Sequence, residues 1–183
     1  DVDDSKWRTA KIEKVDIPTE PRRNTPIRAM AELSPKSVKK IADKTYIFDM
    51  GQNMVGWTNL RFSAPNGAQI MLRFAEATNE DGTLYTRNYR GAASRDYVIS
   101  AGGKAEWSPL FTFHGFRYVE VSGLDYEPSV GDIKGIVLHN DMALTGGFEC
   151  SDELVNKLQS NIIWGQKSNF FSVPTDCPQR DER

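Results

Sequence analysis

Three acids and two arginines crowd into the last twelve residues, Ser172-Val173-Pro174-Thr175-Asp176-Cys177-Pro178-Gln179-Arg180-Asp181-Glu182-Arg183, a stretch punctuated by two prolines. Proline fixes φ and biases the residue before it toward an extended backbone, so Val173 and Cys177 are expected to be extended and the stretch reads as a shaped loop. A backbone that stiff would aim the carboxylates of Asp176, Asp181 and Glu182. Arg180 and Arg183 can neutralise two of them, which leaves one acid free to hold a raised pKa if it is buried beside the others. Paired carboxylates are the working parts of glycoside hydrolysis. The bland alternative is a charged, solvated loop whose acids and arginines pair weakly, and composition alone leaves it open.

Other reactive side chains form no constellation. Cys150, Cys177, His114 and His139 are widely separated, whereas zinc ligands come in close pairs, so no metal is expected and Cys177 reads as a structural, reduced thiol. His114 reads as a histidine hydrogen-bonded beside a strand end, for the sequence names no partner acid. Trp57, Trp107, Trp164, Tyr85 and Tyr89 have rings that could stack on the C–H face of a sugar. Packing is the expectation for Trp57 and Trp164, while Tyr85 and Tyr89, in a long polar loop, leave both uses open. Asn88 and Arg90 belong to that same loop.

The elements that must carry these residues begin late in the chain. At 183 residues the length suits one domain, or one domain and a piece of another. Net charge is −2, from 23 basic and 25 acidic residues, and no basic surface points to nucleic acid. No apolar run approaches the ~20 residues that span a bilayer, and Asp1-Val2-Asp3-Asp4 lacks the features of a signal peptide. The compartment stays open, with a periplasmic or secreted location favoured over the cytoplasm. Residues 1–25 are polar and proline-marked and read as a connector. From Pro26 short apolar runs alternate with turn chemistry, the all-β pattern.

Thr45–Phe48 is the first clear run. Trp57–Phe62 and Gln69–Phe74 flank the turn Pro65-Asn66-Gly67 and are predicted to form a hairpin. Residues 76–95 are a polar loop of a length that is more often functional than idle. Further strands are predicted at Asp96–Ile99, Leu110–Phe113, Arg117–Val121, Ile133–His139 and Gly147–Cys150. The period then changes: Leu154, Leu158 and Ile162, with Val155 and Ile163, mark a helix over 152–169, with Ser151 as N-cap and Asp152 and Glu153 at the positive end of its dipole. A sandwich has no need of one long terminal helix with an apolar stripe, but the first helix of an α-helical barrel would look like this.

The terminal stretch closely resembles the signature that opens the active site of bacterial α-L-rhamnosidases, glycoside hydrolase family 78. Phe48-Asp49-Met50-Gly51-Gln52-Asn53-Met54-Val55-Gly56-Trp57, Leu72-Arg73-Phe74-Ala75-Glu76, Asp81-Gly82-Thr83-Leu84-Tyr85 and Phe113-His114-Gly115-Phe116-Arg117-Tyr118-Val119 look like the β-sandwich domain of that family. Several such words in order are far more specific than one short motif.

The resemblance implies a mainly β fold: residues 26–150 an antiparallel β-sandwich, jelly-roll or concanavalin-like, and residues 151–183 the start of a six-hairpin (α/α) barrel, cut short. It implies an inverting hydrolase of terminal, non-reducing α-L-rhamnose on glycosides or polysaccharides, with no cofactor and no nucleic-acid or membrane partner. It places the general acid on Glu182 and a sugar-binding carboxylate on Asp176, with Arg180 and Asp181 lining the same pocket. The family's general base and a Gly-Trp-x-Gly-Asp stretch fall beyond residue 183, so the chain alone is expected to be inactive and to self-associate through its helix. The alternative is a non-catalytic carbohydrate-binding or structural sandwich that uses Tyr85 and Tyr89.

Overall fold

The computed structural model describes residues 3–180. Ten strands precede the helix: β1 (Ile27–Leu33), β2 (Ser37–Ala42), β3 (Thr45–Ala64), β4 (Gln69–Ala75), the short β5 (Ala77–Thr78) and β6 (Leu84–Tyr85), β7 (Arg95–Ile99), β8 (Gly103–Trp107), β9 (His114–Ser122) and β10 (Ile133–Asn140). All but β5 and β6 form one antiparallel sheet in the order β1-β10-β3-β9-β4-β7, with β2 and β8 also pairing β3. The first half of β3 lies between β2 and β9, and the second half pairs β10 and β8, so this one long strand serves both walls of a curled sandwich. Alternation decides the inner face. Leu60 and Phe62 on β3, Ile70, Leu72 and Phe74 on β4, and Val119 and Val121 on β9 all pack into one enclosed core, which Phe116, of the other parity and beside the irregularity in the β3–β9 pairing, also enters. Phe48, Phe74 and Phe116 are wholly buried, each worth about 1.5–3 kcal/mol of transfer free energy.

The turn at Pro65–Gly67 forms, but the predicted hairpin does not. β4 pairs β9 and β7, while the second half of β3 is occupied by β10 and β8. The turn therefore passes the chain from one wall to the other. Leu110–Phe113 is no strand: Phe111 takes φ +64° and is fully exposed, a conformation that interrupts a ladder, and β9 starts only at His114. Gly147–Cys150 is no strand either, because both sides of β10 are already filled by β1 and β3 when the chain leaves it. The polar stretch after Glu76 is better ordered than its composition suggests. β5 pairs β6 around a turn in which Asp81 accepts from the Thr83 N–H, and a 3-10 turn follows at Arg87–Tyr89.

His114 does have a partner acid. Its Nε2 lies 2.9 Å from Asp96 Oδ1, with both side chains nearly sealed from water, and its ring stacks on Phe74 at 4.2 Å. The pair joins β9 to β7 across 18 residues of sequence, a distance that no spacing rule reads. Helix α1 (Glu153–Asn169) is capped by Asp152 rather than Ser151: the Asp152 carboxylate accepts from the N–H groups of Leu154 and Val155, and its charge suits the helix dipole.

A bulge interrupts β3 where it faces the terminal loop. Asp49 faces Tyr118 and Met54 faces Phe116, so residues 50–53 stand opposite Arg117 alone. Gly51 supplies the left-handed turn, φ +74°, and its N–H donates to Asp49 Oδ1 at 2.7 Å. Arg117 forks the same carboxylate through Nε and Nη2, both at 2.8 Å, and holds it below the usual carboxylate range against the opposing effect of burial. Met50 and Met54 anchor the two ends in the core. The bulge is thereby fixed.

Candidate active site

The terminal loop is seated by contacts distributed along its length. β11 (Phe170–Phe171) folds back on β12 (Val173–Pro174) around Ser172, whose φ is +71°. Phe171 is buried and stacks on Phe113 at 4.3 Å, while the Ser172 N–H donates to Asn140 Oδ1 at 2.8 Å. Thr175, also buried, returns two hydrogen bonds to the carbonyl of Asn169 at the end of α1. A 3-10 turn at Pro178–Arg180 then rests on β9 with Pro178 buried. The sequence demanded a stiff loop. Its foundation is the sandwich.

Between loop, helix and sandwich lies a cleft of about 330 Å³, at the small end of the ~300–1,000 Å³ typical of ligand sites. The loop brings Asp176 and Gln179, α1 brings Asn161, Trp164 and Ser168, and the β3 bulge brings Gln52 and Asn53 with Glu76 beside them. Asn53 donates to Glu76 Oε1 at 2.9 Å. The lining mixes these polar groups with the Trp164 indole and the apolar Met54, Val55 and Pro178, a combination suited to a polyhydroxy ring that offers O–H groups at its rim and C–H bonds on its face.

Of the residues singled out in the sequence, Asp176 lines the cleft with an exposed carboxylate. Arg180 sits in the same loop, its Nη2 2.8 Å from Cys177 Sγ. Asp181 and Glu182 lie outside the described residues. Cys177 is a free thiol that donates to Asp176 Oδ2 at 3.3 Å. The Arg180 contact draws its pKa down, but desolvation and the Asp176 carboxylate outweigh it, so the thiol titrates above its ordinary value and is a poor nucleophile.

Tyr85 is exposed on β6 and does not line the cleft, whereas Tyr89 is not where a sugar platform would need it. Tyr89 is buried at 2% exposure, its hydroxyl accepts the Glu76 N–H at 3.0 Å, and desolvation pushes its pKa to about 12. It fastens the loop beneath Glu76. Trp164 packs against the core and also lines the cleft. Gln52, Asn53, Glu76, Asn161 and Ser168 escaped the sequence reading as site residues. Asn161 and Gly165 follow Leu154 and Leu158 by seven residues, and Ser168 follows Asn161 by seven, so they continue the Leu154 side of α1 into its C-terminal half, where a polar pattern could have marked a wall. For Glu76 and Asn53 no local signal exists.

The relatives agree with this architecture. The profile of the bacterial alpha-L-rhamnosidase concanavalin-like domain matches residues 39–139, and that of the bacterial alpha-L-rhamnosidase 6 hairpin glycosidase domain matches residues 143–183. An alpha-L-rhamnosidase of Formosa agariphila is 47% identical over 99% of the chain and 20% of its own length. The crystal structure of Streptomyces avermitilis α-L-rhamnosidase complexed with L-rhamnose superposes with a TM-score of 0.85 at 46% identity, covering 88% of this chain and 16% of that one. The α-L-rhamnosidase from Dictyoglumus thermophilum gives a TM-score of 0.85 at 45% identity, over 87% of this chain and 18% of that one. The chain thus spans about a fifth of the length of such relatives. From its concanavalin-like sandwich to the helix and loop that follow, this chain belongs to the bacterial α-L-rhamnosidase family.

Proposed function

We propose that the chain is a segment of an inverting α-L-rhamnosidase that removes terminal, non-reducing α-L-rhamnose from glycosides or polysaccharides. The observation that carries this reading is the seating of the terminal loop against the sandwich, which puts Asp176 into the same cleft as Trp164. In this reading residues 1–25 are a connector, 26–150 the sandwich and 151–183 the start of the catalytic barrel. Asp176, Arg180 and Asp181 grip the sugar, and Trp164 offers its ring to the C–H face. Glu182 is the general acid that protonates the leaving oxygen, while a base supplied by the remainder of the barrel activates water on the opposite face. Acid and base must be held in fixed relation, so the segment alone does not turn over rhamnosides. The chemistry calls for no cofactor.

The test uses the full-length enzyme and two rhamnosides of unequal leaving-group quality. Glu182→Gln keeps the shape and removes the transferable proton, so the poor leaving group loses about 10²–10⁴ in kcat while the good one is largely spared. Asp176→Asn weakens the grip on the sugar in ground and transition states alike, and KM rises on both substrates. A Glu182→Gln enzyme equally impaired on both, or still active on the poor one, removes the assigned role.

A further inference from the structure

We propose that Glu76 is a further substrate-binding residue, one that accepts hydroxyl protons from the sugar on the leaving-group side of the scissile bond. The proposal rests on the rhamnosidase reading. Glu76 and Asp176 line the same cleft from different elements, Asp176 on the terminal loop and Glu76 at the end of β4. Asp176 on the loop and Trp164 on α1 are already assigned to the rhamnose ring. The sandwich wall is therefore the one left for what rhamnose is attached to.

Glu76 is built into position. Its backbone N–H is tied to the buried Tyr89 hydroxyl at 3.0 Å, and its Oε1 takes one hydrogen bond from Asn53 at 2.9 Å on the fixed β3 bulge. Among the described residues no cation pairs with it and no second side chain donates to it. A carboxylate is acceptor-only, so a ligand that satisfies it must bring O–H or N–H donors, and an anionic group would be repelled. Sugar hydroxyls meet that demand. Asn53 and Gln52, next to each other on the bulge, offer amide groups of both polarities to the same ring.

The experiment is steady-state kinetics of the full-length enzyme, wild type, Glu76→Gln and Glu76→Ala, on a rhamnosyl disaccharide and on an aryl rhamnoside, with melting temperatures alongside. Glu76→Gln is expected to raise KM for the disaccharide about tenfold or more, the scale of one hydrogen bond to a charged group. kcat should change much less, the aryl substrate should suffer by a clearly smaller factor, and Glu76→Ala should follow the same order. An unchanged disaccharide KM, or equal losses on the two substrates, overturns the proposal. So does a fall in kcat that tracks a lowered melting temperature, for then Glu76 only supports the fold. A wild-type enzyme that cleaves neither substrate sinks the rhamnosidase reading itself, a different failure.

Discussion

Gly115 on β9 and Gln179 in the terminal loop meet so closely that a Cβ on Gly115 would stand 2.9 Å from the Gln179 backbone nitrogen. This contact is the joint between the sandwich and the loop that carries Asp176. Backbone packed on backbone leaves no flexible side chain to yield, so the close approach of this end of the loop to β9 depends on a missing methyl group.

Gly115→Ala should therefore displace the loop or unseat it. Overpacking of this kind costs about 1–3 kcal/mol. Urea unfolding of the isolated chain should show that loss, and the full-length variant should lose kcat/KM. A variant with wild-type stability and wild-type kinetics would mean that the joint is slack.

Tyr89→Phe should destabilise the chain without acting on a sugar directly. The substitution strips the acceptor from the partly buried Glu76 N–H, and an orphaned donor costs about 1–3 kcal/mol. The phenol also has a pH signature. Its folded pKa of about 12 stands above the ordinary value of 10, chiefly through desolvation. The stability it contributes is therefore fully present below pH 10 and is lost as pH rises toward about 12. Thermal melts from about pH 9 to about pH 12 should fall more steeply for the wild type than for the Phe variant, and parallel curves would contradict the assignment.

The isolated chain should self-associate through α1. Leu154, Leu158 and Ile162 are 81%, 57% and 55% exposed, while Trp164 of the same helix packs against the core. The helix thus turns its aliphatic stripe outward. Covering a large apolar side chain is worth up to about 1.5–3 kcal/mol, and a second copy offers a matching stripe. Sedimentation at rising concentration should show a larger species that Leu154→Lys combined with Leu158→Lys abolishes. A strictly monomeric wild type would refute this.

Much of the architecture is legible in the residues themselves. Alternation over Gln69–Phe74 and Arg117–Val121, the four-residue period of Leu154, Leu158 and Ile162, and the prolines of the terminal loop are local signals, because backbone stereochemistry imposes them within a few residues. The words shared with the rhamnosidases carry the family. Pairing is not legible in this way. Which strand takes which edge depends on segments far apart in the chain, so the turn at Pro65–Gly67 reads as a hairpin although β9 holds the place beside β4.

The site divides along the same line. Asp176 and Arg180 can be read from one loop, since a single motif holds them. The partnership of His114 with Asp96, the anchoring of Glu76 by Tyr89 and Asn53, and the burial that withdraws Tyr89 from any sugar are long-range facts. The residues alone determined a sandwich, a helix and an acid-bearing loop of a known family. Only the tertiary structure decided that the sandwich supplies one wall of the cleft, because a cleft exists only where elements distant in sequence close on one another.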